Sequence, residues 1–226
     1  ADKELKKVKW LRVDIYDPNG TRIRRIETKI PTENGLQRWN WNLRSAGTER
    51  PSMSRSKPEN ASDPGYGPEV TPGRYLLVYE LGSHRDSAYV TVHDDPRATR
   101  SDADWAAQHA FSAEVNAHMA QLDSAVSRLR EAKVRLELLE KFVAAIDDTA
   151  RTKELRADLK AQLKSIEDRR MALFGKEDVK GYFEQPETWE WKYGQFANHY
   201  WGLRGAPTAN VLNAWKSGRA ATDREL

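Results

Sequence analysis

From Val115 to Val143 an apolar residue returns at every seventh position: Val115, Leu122, Leu129, Leu136 and Val143. Met119, Val126, Leu139 and Ile146 fill much of a second seam, and no Gly or Pro occurs between 101 and 174. A seven-residue period keeps one stripe of a helix turned toward a neighbouring helix, and a β-strand has no use for it. The pattern predicts one helix over 101–147, a rod of roughly 70 Å at the α-helical rise. Ser101 is placed to cap it, with Asp102 and Asp104 beside the positive end of the helix dipole. Asp147-Asp148-Thr149 marks a reversal. A second helix over 150–174 then carries Leu155, Leu159, Leu163, Ile166 and Leu173 and ends near Gly175. An antiparallel, coiled-coil-like hairpin lets the two stripes bury each other. Trp189, Tyr193, Phe196, Tyr200 and Leu203 step along one face of a third helix over 188–204. Pro207-Thr208 opens a fourth, over 208–217, with Val211, Leu212 and Trp215.

Before residue 97 the period is two. Leu11, Val13 and Ile15 alternate with polar neighbours, and Asp17-Pro18-Asn19-Gly20 supplies a turn. Pro presets φ there and Asn-Gly accepts positive φ at little cost. Ile23 and Ile26 mark the returning strand. Trp39, Trp41 and Leu43 alternate, as do Tyr75, Leu77 and Tyr79 after Thr71-Pro72-Gly73. Ala88, Val90 and Val92 make a fifth strand. Short strands joined by turns, without helices between them, predict a β-sandwich. Residues 45–72 are rich in Pro, Ser and Gly and read as an irregular surface excursion that can hide a short strand. The expected organisation is α+β with two domains: an Ig-like sandwich over 1–97 and a helical bundle over 98–226.

Composition excludes several functions. The 226 residues contain no Cys, which removes disulfides, thiolate metal sites and thiol nucleophiles. Residues 1–100 hold 18 basic and 14 acidic side chains, and residues 101–226 hold 19 and 20. That is no nucleic-acid footprint, which needs a dense one-sided basic array. No apolar run is long enough to cross a membrane, and no charged segment followed by an apolar one begins the chain in the manner of a signal peptide.

No catalytic constellation is legible. His84, His93, His109, His118 and His199 form no i, i+4 ligand pair, and there is no P-loop, dinucleotide glycine pattern or G-x-S-x-G elbow. Asp94-Asp95 and Asp147-Asp148 fall at element ends, where capping and turns use carboxylates. An enzyme site at the domain junction would instead need His93, Asp94, Asp95 and Arg97 to converge on a pocket. Asp14, Asp17 and Asn19 lack the alternating ligands and distant Glu of an EF-hand loop. No cofactor or metal is expected.

Aromatics are the other signal. Residues 182–201 hold eight in twenty, against 9% for the chain. Burial against the hairpin accounts for the helical stripe. Trp191 lies roughly opposite Trp189 on the helical wheel and Trp201 on a flank, so these two, with Tyr182, Phe183 and Trp39, are the candidate interaction residues. The same residues could instead form a stacking platform for sugars.

The first half resembles a known module. VDIYDPNGTRIRRI, GLQRWNWNLR, TPGRYLLVYELG and VTVHDDPR are similar to the Ig-like domain near the C-terminus of bacterial secreted β-propeller proteins. These are the sortilin-type, BNR-repeat, glycosyl-hydrolase-like proteins, whose Ig-like domain resembles that of the flagellar hook-capping protein. The matching positions are Asp17 and Gly20; Trp41, Leu43 and Arg44; Pro72, Gly73 and Tyr75; and Asp95, Pro96 and Arg97. The late Pro207-Thr208 fits that family's helical tail. Asn42 stands where the family usually has Asp, and the excursion at 45–72 is long. The resemblance implies an exported, periplasmic or extracellular protein. It implies a chain that acts as the C-terminal piece of a propeller protein, or docks as that piece would. Any hydrolase label belongs to a propeller absent from these residues. The expected function is thus a non-catalytic structural and protein-interaction module, with a β-propeller or another subunit as partner. A carbohydrate-binding accessory module of a secreted glycoside hydrolase is the alternative.

Overall fold

A computed structural model describes residues 10–30, 35–54, 66–97, 100–146, 149–177, 184–200, 202–203 and 205–223. The fold is mixed α+β, an N-terminal antiparallel sheet region followed by four helices. Strands β1 (Trp10–Tyr16), β2 (Arg22–Lys29), β5 (Gly73–Leu81) and β6 (His84–Val92) form one sheet in the order β2-β1-β5-β6. Two short strands, β3 (Arg44–Ala46) and β4 (Tyr66–Glu69), form a separate pair. By contact the chain separates into two units. The first holds 1–49 and 56–105, the second 50–55 and 106–226.

Alternation in the sheet sorts the side chains onto two faces. Val13 and Ile15 of β1 meet Tyr75 and Leu77 of β5, Val92 of β6 and Val70, with Trp39, Trp41 and Tyr79 packed around them. The other face carries Leu76 and the buried Val78 beside a network of paired charges. Arg12 lies opposite both Glu27 and Glu80, and bonds them at 3.0 and 3.3 Å, while Arg85 lies 4.0 Å from Glu80. One row of alternating charge thus crosses all four strands. In the next row Asp14 is buried under a two-pronged contact from Arg25, at 2.7 and 2.6 Å. The β1–β2 turn uses its aspartate as a local acceptor: Asp17 Oδ1 receives the N–H groups of Asn19 and Thr21 at 2.9 and 2.8 Å, and Gly20 takes φ +80°.

The sequence pattern misleads at residues 39–43. Residues 39–43 form no strand, because Leu43 sits in the left-handed region at φ 56° and breaks extended pairing. Residues 45–72 do hold short strands, as an excursion that can hide one allows: they contribute β4 and most of β3, while 50–55 belong with the helices. Strand β6 is exposed along its length except at Val92, and among the described residues no strand pairs with its far side.

Helix α1 spans Asp102–Ala144, α2 Thr149–Phe174, α3 Trp189–Tyr200 and α4 Ala209–Thr222. Ser101 Oγ receives Asp104 N–H at 3.2 Å, and Asp104 Oδ2 receives the Ser101 N–H at 3.0 Å, a reciprocal cap. The first turn of α1 stays with the first unit because Trp105 is held there. Its Nε1 donates to Asp94 and Arg100 lies over its ring at 4.4 Å. Helix α2 begins beside the end of α1, where Arg156 donates to the carbonyls of Val143 and Ile146 at 3.0 and 3.2 Å. It ends beside the first half of α1, where Leu173 joins Phe111, Val115, Met119, Leu122 and Val126 in one core. Helices α3 and α4 complete that core with Trp189, Phe196, Tyr200, Val211 and Trp215. Helix α3 is described as far as Tyr200, and α4 runs to Thr222, through Gly218 and past the expected 217. That glycine lies against the backbone nitrogen of Tyr193 in α3, so it serves contact between helices rather than termination.

Candidate interaction surfaces

The aromatic run resolves into a core. Phe196 is fully buried and touches four rings: Phe111, Tyr193, Tyr200 and Trp215, at centroid distances of 5.0–6.1 Å. Trp189 stacks on Tyr193 at 5.2 Å and meets Phe174 edge-on at 6.0 Å. The polar tips find partners. Tyr200 Oη donates to Ser112 at 2.9 Å and Trp215 Nε1 to Glu114 at 2.9 Å. Trp191 is half-buried on α3, and its backbone N–H donates to the capping hydroxyl of Thr188 at 3.3 Å. Tyr182, Phe183 and Trp201 lie outside the described residues.

Trp39 is half-buried against the sheet and lines a groove of about 550 Å³ in the first unit, with Leu11, Ile30, Tyr79 and Leu81 as apolar walls and Arg38 at the rim. Burial and the nearby Asp86 push the Tyr79 phenol up from its ordinary range. The neighbouring segment is fastened to the sheet. Buried Arg24 donates to Asn42 Oδ1 and to the Arg44 carbonyl, which also receives Trp41 Nε1 at 3.0 Å. Asn42 and Arg44 therefore act as anchors of the chain.

A second cleft of about 480 Å³ lies in the helical unit, between residues 50–54 and the end of α2. Its arginines are committed to ion pairs. Buried Arg170 binds Glu167 at 2.7 Å, Glu177 at 3.2 Å and the Gly175 carbonyl at 2.9 Å, and Arg50 binds Glu190 at 3.1 Å. The hydrogen bond from Arg170 holds the Glu167 carboxyl below its ordinary range. Residues 50–54 are tied down here: Met53 reaches the aromatic core and Arg130 donates to the Ser52 carbonyl at 2.8 Å.

His93, Asp94, Asp95 and Arg97 do not assemble a site. Arg97 closes on Asp95 with two bonds of 2.9 Å in the open, and Asp94 accepts from Trp105. Among the described residues no group of His, Asp and Glu could hold a metal ion. No described helix is long and apolar enough to cross a membrane.

The surface that sequence reasoning missed is on the far half of α1. Leu139, Ile146 and Leu155 were expected in buried seams, yet they are about half exposed. With Val134, Leu138 and Phe142 they make six apolar side chains 46–71% exposed, four on α1, Ile146 just beyond its end and Leu155 on α2. The cause is reach. Helices α3 and α4 cover α1 only as far as Val126; beyond it, Leu129 and Leu136 are half-buried and Val143 is buried. Val134, Leu138 and Phe142 fall four apart on the opposite side. The signal was present in the sequence, but a seven-residue count does not reveal a second apolar stripe with no partner in its own chain.

No family model, no curated protein and no solved structure matches this chain.

Proposed function

We propose that the chain is a non-catalytic structural and protein-interaction module, the C-terminal part or a docked subunit of an exported bacterial β-propeller protein or assembly. The observation that carries the interaction function is the second apolar face of α1. Several large apolar side chains exposed close together on one helix face mark a contact surface. The propeller context rests on the sequence resemblance. The finer architecture we assign is an Ig-like sandwich, β3–β4 facing the large sheet, and a coiled-coil-like hairpin of α1 with α2. Two contacts support the sandwich: Trp41 meets Tyr75 edge-on at 5.4 Å, and Tyr75 Oη donates back to the Thr71 carbonyl at 2.7 Å, a pairing known from Ig-type domains. The test places Leu138→Glu with Phe142→Glu in the complete gene product. The mass of the assembled species by light scattering should fall while thermal unfolding of the helices is unchanged. An unchanged mass would refute the interaction function.

The groove beside Trp39 favours a second reading, a carbohydrate-binding accessory module. It requires polysaccharides to quench Trp fluorescence, and a Trp39→Ala variant to abolish that response. A flat titration across common glycans removes it.

A further inference from the structure

We infer that the exposed face of α1 is a homodimer contact, in which α1 of a second copy lies antiparallel across Val134 and Leu138. This rests on the interaction function above and names its partner. The stripe reads Glu131, Val134, Leu138, Lys141, Ala145, stepping 3-4-3-4, and every member is exposed. That spacing is a contact seam in its own right, with an acid at one end and a base at the other. The arrangement selects direction. A parallel copy would set Glu131 on Glu131 and Lys141 on Lys141. An antiparallel copy centred near Leu136 sets Val134 on Leu138 twice and places each Glu131 beside Lys141 of the second copy. It also brings exposed Arg128 beside the ring of Phe142, the most exposed of the six apolar side chains. The result is a closed two-fold contact that repeats one patch on both partners.

Two like-charged approaches remain, Arg135 to its symmetry mate on one rim and Glu137 to its own on the other. Each is offset from within: Glu131 lies 3.7 Å from Arg135 and Lys133 lies 4.0 Å from Glu137. Both are at the solvent edge, where screening is strong. Val134, Leu138 and Phe142 leave on the order of 300 Å² exposed per copy, so the contact is a small one, at the weak and reversible end of protein interfaces.

The test is sedimentation equilibrium of the 226-residue chain alone across the micromolar range, with helical circular dichroism as the control on folding. A monomer–dimer equilibrium is expected. Glu131→Lys and Lys141→Glu should each weaken it at least tenfold, and the two together should restore it to near the original strength. A dimer whose strength ignores these charges would overturn the antiparallel pairing, and so would a pair of reversals that fails to restore it. A chain that stays monomeric throughout overturns self-association itself. The broader interaction function would then still stand or fall on its own test, which scores the apolar face in the complete gene product.

Discussion

Lowering the pH from 6.5 to 5 should weaken the helical unit through His118. This side chain is 6% exposed on α1. The Thr222 hydroxyl donates to the Arg219 carbonyl at 2.7 Å, which leaves its oxygen to accept from His118 Nε2 at 2.9 Å. Trp215 meets the imidazole edge-on at 5.2 Å. Burial lowers the His118 pKa, and Arg219 lowers it further against the opposing pull of Asp223 and Glu114. The sign follows. In the unfolded chain the imidazole takes its proton near pH 6.5, while in the folded chain it resists until a lower pH. Between those two values the unfolded chain binds more protons, so stability falls as pH falls; above that window His118 contributes no slope. One proton is worth at most about 1.4 kcal/mol per pH unit. His109, whose pKa burial also lowers, raises the ceiling to about 2.7 kcal/mol per unit for the two. Asp14 and Glu167 are held below their ordinary values. Their contributions are lost from about pH 5 downward, below most of the range over which His118 acts. Urea unfolding followed by Trp fluorescence at pH 7.5, 6.5, 5.5 and 5 measures the slope. His118→Gln, which can still donate to Thr222 but does not titrate, should remove about one proton's share of it. A wild-type stability flat over this range, or a slope unchanged in His118→Gln, would refute the reasoning.

Other substitutions follow from burial and backbone geometry. Phe196→Ala removes a fully buried ring in contact with four others; equilibrium unfolding should show a loss of about 3–5 kcal/mol. Arg25→Ala leaves the buried Asp14 carboxylate only the more distant Arg22, at 3.8 Å, and should cost about 3 kcal/mol at pH 7 and less in acid, as carboxylates take up protons. Gly175 sits at φ +77° at the end of α2, and an added Cβ would lie 2.5 Å from the Gln185 side chain; Gly175→Ala should lower stability by about 1–2 kcal/mol. Each loses its warrant if the measured change is under half the stated value.

The elements that the sequence made legible are those whose evidence is local. The β1–β2 hairpin follows from Asp17-Pro18-Asn19-Gly20, the α1 start from Ser101 and Asp104, and the α4 start from Thr208, whose hydroxyl receives the Val211 N–H at 3.4 Å. What stayed hidden depends on distant partners. Trp39 and Trp41 alternate as a strand would, but Arg24 holds their segment by its carbonyl and by Asn42, and no local rule foretells that. Gly218 reads as a helix stop until α3 is seen behind it. The apolar residues of α1 were all visible, but which of them would find a partner depends on how far the shorter helices extend. Of the interaction candidates named from aromatic content, Trp191 and Trp39 are half-buried, whereas the most open apolar side chains of the described helices are aliphatic residues and Phe142.

Strand β6 carries a cost for the isolated chain. Its stretch Ser87-Ala88-Tyr89-Val90-Thr91-Val92 is uncharged, free of Gly and Pro, and rich in residues that favour extended backbone. One rim of its peptide groups faces away from β5, and Tyr89 and Val90 are open to water. Such a rim is a template on which unfolded copies can grow cross-β fibrils, with Arg85 and Asp86 at the near end as the only charged brakes within the strand. Thioflavin fluorescence on prolonged warming should therefore rise in the wild type and stay low when Val90 is changed to Lys; equal growth in both would place the seed elsewhere.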